Sequence, residues 1–293
     1  MTTILDGKQV ANDIKEEIAA RVKADTADGH RAPHVAIILI GDDGASHTYV
    51  NGKIQACKMV GFDYTLMQFA KTISEAKLIK HIEALNEDED IDGFIVQLPL
   101  PEHISVENVT ECIASAKDVD GFTNQNFGSI VSHNPLLLPA TPYGVMELMN
   151  RYKIETKGKH CVVVGASRIA GAPLSLMLME QGLATVTICH KYTEDLKSHT
   201  TKADILISAV GKPGLITADM VKEGAVVVDI GTTRVDDSSR KSGFRIAGDV
   251  DYDAVAPKTT FITPVPGGVG PMTIASLLVN TLKAYESGYL ARK

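Results

Sequence analysis

The sequence predicts an α/β fold of two domains, and three observations carry that prediction. Short apolar runs of strand length alternate with segments of helical periodicity, the pattern of parallel sheets joined by helical crossovers. At 293 residues the chain is longer than one domain of ordinary size. A Pro-rich stretch over 134–142 interrupts the alternation near its middle and marks a boundary.

In the first half, the continuous apolar run 35–40 reads as a parallel strand covered on both faces. It ends in the turn Gly41-Asp42-Asp43-Gly44, and a helical pattern follows to about Gly61. A second strand is expected over 62–69, then a helix over 74–86 with Ser74 at its N-cap. The third strand, 93–97, is stopped by Pro99 and Pro101. Thr141-Pro142 suits an N-cap followed by a first-turn proline, opening a linking helix over 141–152. The second half holds five candidate strands, within 160–167, 184–190, 203–210, 224–232 and 260–265, and a last helix over 272–287, long enough to return across the boundary.

Composition excludes several function classes. A net charge of -7 argues against a general nucleic-acid surface, which needs a basic face, but leaves room for a local basic pocket. The first residues lack the basic and apolar regions of a signal peptide, and the apolar runs are too short to cross a bilayer. Cys57, Cys112, Cys161 and Cys189 are scattered with no CxxC pair, so neither a disulfide framework nor a zinc or other metal site is expected. A cytoplasmic protein with reduced thiols follows.

Two stretches point to chemistry. "CVVVGASRIAGAP", 161–173, is a buried strand, a glycine turn and a helix start. Gly165 permits the turn, Gly171 close helix approach, and free N–H groups at the helix start favour a phosphate. The G-x-S-x-x-x-G spacing departs from the dinucleotide fingerprint, so alone it also reads as an ordinary strand–helix loop. The next strand ends at His190-Lys191, where an NAD enzyme would carry Asp or Glu; a basic pair attracts a 2′-phosphate and favours NADP. Lys191 alone also reads as a solvated loop residue. Gly211 and Gly231, at two further strand ends, would let a dinucleotide approach the backbone. "TPVPGGVGPMT", 263–273, has almost no side chains until Met272 and allows close approach to a ligand, although a plain Gly/Pro connector has the same composition.

"YVNGK", 49–53, reads three ways: a hairpin turn at Asn51-Gly52, one face of a helix, or the Tyr-x-x-x-Lys of short-chain dehydrogenases. No strand pair flanks it. A short-chain dehydrogenase would carry its Tyr and Lys after the Gly-rich turn, not more than a hundred residues before it. A helix remains, with Gly52 suggesting close backbone packing. Considered alone, Lys53 reads as a solvated helix residue.

"GDDGASHTYVNGK", "DGFIVQLPLP", "KDVDGFT", "VVGASRIAGAP", "VGKPG" and "TPVPGGVGPMT", in this order and spacing, closely resemble the bifunctional methylenetetrahydrofolate dehydrogenase/methenyltetrahydrofolate cyclohydrolase family of the bacterial type, over nearly the whole chain. The resemblance implies an N-terminal α/β domain with a parallel sheet (1–140 plus 274–293), a Rossmann-like NADP-binding domain (141–273) and a cleft between them. It implies NADP-dependent oxidation of 5,10-methylenetetrahydrofolate, then hydrolysis of the methenyl product to 10-formyltetrahydrofolate, by a homodimer. Its partners are tetrahydrofolate derivatives, with no nucleic acid and no membrane.

By the same resemblance Lys53, Tyr49, Gln97 and Asp120 are the catalytic set. They bind substrate together with Leu98, Pro264, Gly267 and Gly268. The cofactor falls to Thr141, Gly165, Ala166, Ser167, Arg168, Ile169, His190, Lys191, Ala209, Val210, Gly211, Pro213, Gly231, Thr232 and Thr273. A pterin presents a two-donor edge that Asp120 can accept, and Tyr49 offers a flat surface to a ring. A lysine moves protons well only when its pKa lies toward neutrality, so a neutral amide at Gln97 suits Lys53 better than a carboxylate would. Asp118 or Asp120 could instead be a plain turn residue. Three positions depart from the family: Ala166 where many members have Arg, Ala140 in place of Cys, and Thr232-Thr233 in "GTT". A dehydrogenase without the hydrolase step and a non-catalytic nucleotide-sensing module are the competing readings; Lys53 and Gln97 argue against the first, and Lys53, Gln97 and Asp120 together with the dinucleotide loops against the second.

Overall fold

In a computed structural model, residues 2–132, 134–240 and 243–292 are described. The elements run β1 (Thr3–Ile4), α1 (Gly7–Ala27), β2 (His34–Ile40), α2 (Gly44–Val60), β3 (Asp63–Phe69), α3 (Glu75–Glu87), β4 (Gly93–Val96), α4 (Val106–Glu111), α5 (Asn124–Val131) and α6 (Ala140–Arg151). There follow β5 (His160–Val164), α7 (Gly171–Glu180), β6 (Thr185–Cys189), α8 (Leu196–Thr200), β7 (Ile205–Ser208), β8 (Val226–Asp229), β9 (Thr233–Asp236), β10 (Phe244–Ala247), α9 (Tyr252–Val255), β11 (Phe261–Ile262) and α10 (Val269–Gly288).

The chain divides into two units: Met1–Ala11 with Thr141–Thr273, and Asn12–Ala140 with Ile274–Lys293. The expected division put all of 1–140 in the first domain, and here the structure differs. β1 pairs in parallel with β11 (Thr3 with Phe261, Ile4 with Ile262), so the first eleven residues belong with Thr141–Thr273. Gly7 then lies so close to Gly268 that a Cβ there would overlap the Gly268 carbonyl oxygen.

The unit of Asn12–Ala140 and Ile274–Lys293 is built on a three-stranded parallel sheet in the order β3-β2-β4. Central β2 is apolar and buried from Val35 to Ile40 because both its faces are covered, whereas edge strand β3 alternates exposed and half-buried residues. Leu78, Ile82 and Leu85 recur at helical spacing on α3 and pack with Ile38 and Phe94, each such side chain worth roughly 1.5–3 kcal/mol on burial. Ser74 precedes α3 but makes no side-chain cap bond. Asn51-Gly52 lies inside α2. A Cβ on Gly52 would meet only an Ile274 methyl at 3.5 Å, an ordinary contact, so packing does not demand glycine there.

The other unit holds a six-stranded sheet in the order β1-β11-β8-β7-β5-β6, parallel throughout, and all five expected strands are in it. Its core gathers Val162, Val164, Leu206, Val227 and Ile262. Two expectations change. Thr141 is not an N-cap, because α6 already starts at Ala140. α10 starts at Val269, so Gly270, Pro271 and Met272 form its first turn rather than a loop. The antiparallel hairpin β9–β10 was not foreseen.

The two units share one plan. β2-α2-β3-α3-β4 and β5-α7-β6-α8-β7 both place the first strand centrally, the second at the edge and the third on the opposite side. Both first strands begin with a histidine whose Nε2 meets a threonine hydroxyl on the edge strand at 2.9 Å, His34 with Thr65 and His160 with Thr187. Both histidine amides donate to an aspartate just before the third strand, Asp92 at 2.8 Å and Asp204 at 2.9 Å. Both first strands end in a positive-φ glycine, Gly41 and Gly165, whose N–H donates to the last residue of the edge strand.

Candidate active site and dinucleotide crevice

In an open parallel sheet, ligands collect beyond the carboxyl ends of the strands where the order reverses. In the three-stranded unit that point lies between β2 and β4. Gln97 follows β4 and extends its ladder, its N–H donating to the Ile38 carbonyl at 2.9 Å. Lys53 comes from α2, the helix after β2. Lys53 is 8% exposed, and its Nζ donates to Gln97 Oε1 at 3.1 Å. The Gln97 amide is oriented from its other side, where Nε2 donates to the Leu98 carbonyl at 2.7 Å. Its oxygen is thereby committed to the lysine. Tyr49, one helical turn before Lys53, is 50% exposed and presents its ring to the surface.

Asp120 is placed by a turn that the sequence alone left ambiguous. Asp118, buried at 1%, accepts from the N–H groups of Gly121 (2.9 Å) and Thr123 (2.8 Å) and from Asn126 Nδ2 (3.0 Å). Asp118 is therefore the turn builder, and Asp120 makes no side-chain hydrogen bond among the described residues. Burial raises the Asp120 carboxyl above the usual carboxylate range, Lys53 opposes that shift, and Asp118 adds to it. Gly121, at φ +74°, has no room for a Cβ against Leu138 and Pro139.

Asn280 on α10 belongs to this support and carried no signal in the sequence. Its Nδ2 donates to the carbonyls of Val119 (2.9 Å) and Leu138 (2.7 Å), while its buried Oδ1 has no partner among the described residues. Replacing it with leucine, Asn280→Leu, leaves two buried carbonyls unpaired and lowers stability by about 1–3 kcal/mol. The denaturant midpoint reads this, and an unchanged midpoint would count against the bridge.

In the six-stranded unit the order reverses between β5 and β7. Gly165 ends β5 at φ +111°, and a Cβ there would overlap the Ala209 carbonyl oxygen beyond β7. A Cβ on Gly171 would overlap the Gly165 carbonyl oxygen. The strand ends and the start of α7 are thus in backbone contact, which only glycine allows. α7 starts without a side-chain cap, behind the exposed Ala166, Ser167, Arg168 and Ile169. The equivalent α2 is capped by Asp43, which accepts from the Ser46 N–H at 2.8 Å, with Asp42 beside it. An anion is favoured at the first helix start and repelled at the second.

His190 and Lys191 are exposed after β6, with the Lys191 ammonium 4.8 Å from the centre of the Tyr192 ring. Val210, Gly211 and Pro213 are exposed and Ala209 half-buried beyond β7; Gly231 is buried and Thr232 exposed beyond β8. Thr141 and Thr273 meet through their hydroxyls at 3.0 Å. Pro264 and Gly267 are half-buried and Gly268 buried in the loop before α10. Among the described residues, no cluster of three or more His, Cys, Asp or Glu could hold a metal ion, and no helix is long and apolar enough to cross a membrane.

Two family models match the chain. Residues 5–120 match the tetrahydrofolate dehydrogenase/cyclohydrolase catalytic domain, and residues 139–289 match the NAD(P)-binding domain of the same enzymes. The bifunctional protein FolD of Cytophaga hutchinsonii is 56% identical over 284 residues, 96% of this chain and 98% of that one. The crystal structure of the bifunctional FolD dehydrogenase/cyclohydrolase of Campylobacter jejuni superposes with a TM-score of 0.93 at 44% identity, covering 98% of this chain and 99% of that one. The Trypanosoma brucei enzyme, solved with NADP cofactor and inhibitor, gives 0.94 at 36% identity, with 98% of each chain covered.

Proposed function

The chain belongs to the tetrahydrofolate dehydrogenase/cyclohydrolase family, and on that premise we propose that Tyr49, Lys53, Gln97 and Asp120 carry its folate chemistry while the loops around Gly165 hold its nucleotide. The enzyme is bifunctional: it oxidises 5,10-methylenetetrahydrofolate with NADP, then hydrolyses the 5,10-methenyl product to 10-formyltetrahydrofolate. The observation that carries the residue assignment is the buried Lys53 Nζ held on a neutral amide oxygen at the carboxyl end of β4.

NADP supplies the hydride acceptor when bound. The chain fits it: glycines at 165 and 171 leave no space for side chains, and the start of α7 is open to a phosphate. Ser167, Arg168 and Lys191 would share the 2′-phosphate, since Ala166 brings no charge. Ala209, Val210, Gly211, Pro213, Gly231, Thr232, Thr141, Ile169, His190 and Thr273 complete that side.

Asp120 accepts from the two-donor edge of the pterin, and Tyr49 covers a ring face. Leu98, Pro264, Gly267 and Gly268 add backbone and apolar contact with the folate. Once hydride has left, the methenyl carbon is cationic and open to water. Lys53 takes a proton as the water adds and returns it to the ring nitrogen as the carbon–nitrogen bond breaks; the remaining hydroxyl proton passes to solvent as the formyl C=O forms, while Gln97 keeps the amine aimed without adding a charge. The four free cysteines fit a reducing cytoplasm, and the family resemblance favours a homodimer.

Two-wavelength kinetics test this reading, following reduced nucleotide and methenyl absorbance separately with NADP and with NAD. Both activities with NADP preferred are expected, and Lys191→Ala should lower efficiency with NADP about tenfold, the loss of one charge-assisted phosphate contact, with little change for NAD. Greater efficiency with NAD in the unaltered enzyme would overturn the basic-pair argument.

A further inference from the structure

We propose that Asp249, held in turn by Asp229, is a positioning residue that sets the geometry of the loops contacting the dinucleotide. Asp249 is fully buried. Its Oδ2 accepts from Ser208 Oγ (2.9 Å) and the Val210 N–H (2.7 Å), and its Oδ1 accepts from the Lys212 N–H (2.8 Å). One carboxylate thus gathers the segment just beyond β7, where the strand ladder has ended and the backbone donors need other partners.

Asp229 repeats the arrangement one strand away. Its Oδ1 accepts from Gly231 (2.9 Å) and from the Asp249 N–H (3.0 Å), and its Oδ2 accepts from Val250 (2.9 Å). The Asp229 N–H donates to Thr263 Oγ1 at 2.7 Å. The segments 208–212, 229–231 and 249–250 are therefore tied in series through two buried carboxylates, and the Asp229 backbone N–H adds Thr263 to them. The fit is tight: a Cβ on Gly231 would overlap the Asp249 carboxylate, and one on Gly248 the Asp229 carboxylate. Burial pushes Asp229 up to about 6 against the amides that hold it, so a pair of acids is maintained at a site where apolar residues would be cheaper to desolvate. What the pair provides is directed acceptors for loop amides that no strand partner can reach.

The inference rests on the reading of Val210, Gly211 and Gly231 as dinucleotide contacts, and the experiment separates the two. Asp249→Asn keeps the shape but turns one acceptor oxygen into a donor facing other donors. NADP affinity should fall about tenfold or more, the cost of at least one misdirected buried hydrogen bond. Saturated dehydrogenase turnover and hydrolysis of added methenyltetrahydrofolate should stay near those of the unaltered enzyme. Ser208→Ala removes a single donor and guards against a failure of Asp249→Asn to fold; it should shift NADP affinity in the same direction by a smaller factor.

In the unaltered protein, hydrogen exchange at the Val210 and Lys212 amides should slow when NADP is added. No NADP-dependent protection would overturn the cofactor reading and the proposal with it. Protection in the unaltered protein with unchanged NADP affinity in both variants would overturn the positioning role alone. So would a parallel loss of both activities with heat stability, the pattern of a purely structural acid.

Discussion

Lys53→Met is expected to abolish cyclohydrolase activity, with a loss of about 10²–10⁴-fold, the range carried by a positioned proton-transfer group. Methionine keeps the unbranched stem that buries Lys53 in α2, so the variant should fold, and the lost function is that of the amine. Two consequences distinguish this from a general disturbance. Gln97 loses the donor that its oxygen meets at 3.1 Å, but its amide remains tied to the Leu98 carbonyl. Asp120 loses the one charge that lowers its carboxyl while keeping the burial and the Asp118 charge that raise it. Its carboxyl therefore moves further up, and a smaller fraction is ionised at any given pH. The folate KM of the variant should rise as pH falls, more steeply than that of the unaltered enzyme. Methenyl absorbance, followed across a pH series, reads both effects. Normal methenyl hydrolysis by the variant would remove Lys53 from the mechanism.

The readability of this chain follows from how each element is solvated. β2, β5, β7 and β8 are covered on both faces and so carry runs of three to six consecutive apolar residues, broken by a polar residue only at one end, which stand out. β9 and β10 have four residues each and alternate charge with half-buried side chains, so they look like loop. β1, with two residues, exists only because β11 is there to pair with it. The Lys53–Gln97 pairing was legible only through the family resemblance, because Lys53 considered alone reads as a solvated helix residue. The division of roles between Asp118 and Asp120 was not, because it depends on where Gly121, Thr123 and Asn126 turn their donors. Asn280 and Asp249 act on segments far away in sequence, which no local pattern announces. The matching plan of the two units is equally hidden. The histidine and aspartate that mark it lie 58 residues apart in one unit and 44 in the other, so no fixed period links them.

Gly171→Ala is expected to abolish NADP-dependent oxidation while sparing hydrolysis of added methenyltetrahydrofolate. The added Cβ would sit 2.7 Å from the Gly165 carbonyl carbon and closer still to its oxygen. Neither is the end of a flexible side chain. Gly165 cannot yield easily, because it sits at φ +111° against the Ala209 backbone on its other side. The strain must pass to the turn itself, opening the gap between β5, β7 and the start of α7, where the phosphates are to lie. Overpacking of this kind costs about 1–3 kcal/mol, so the protein should remain folded with a lowered Tm. Lys53, Gln97 and Asp120 belong to the unit built on the three-stranded sheet, and their hydrogen bonds and charges do not involve the altered turn. Dehydrogenase activity, NADP affinity and methenyl hydrolysis measured on one preparation give the test. Loss of all three together would mean that the glycine serves the fold at large. Unimpaired NADP binding would mean that the crevice lies elsewhere than at this turn.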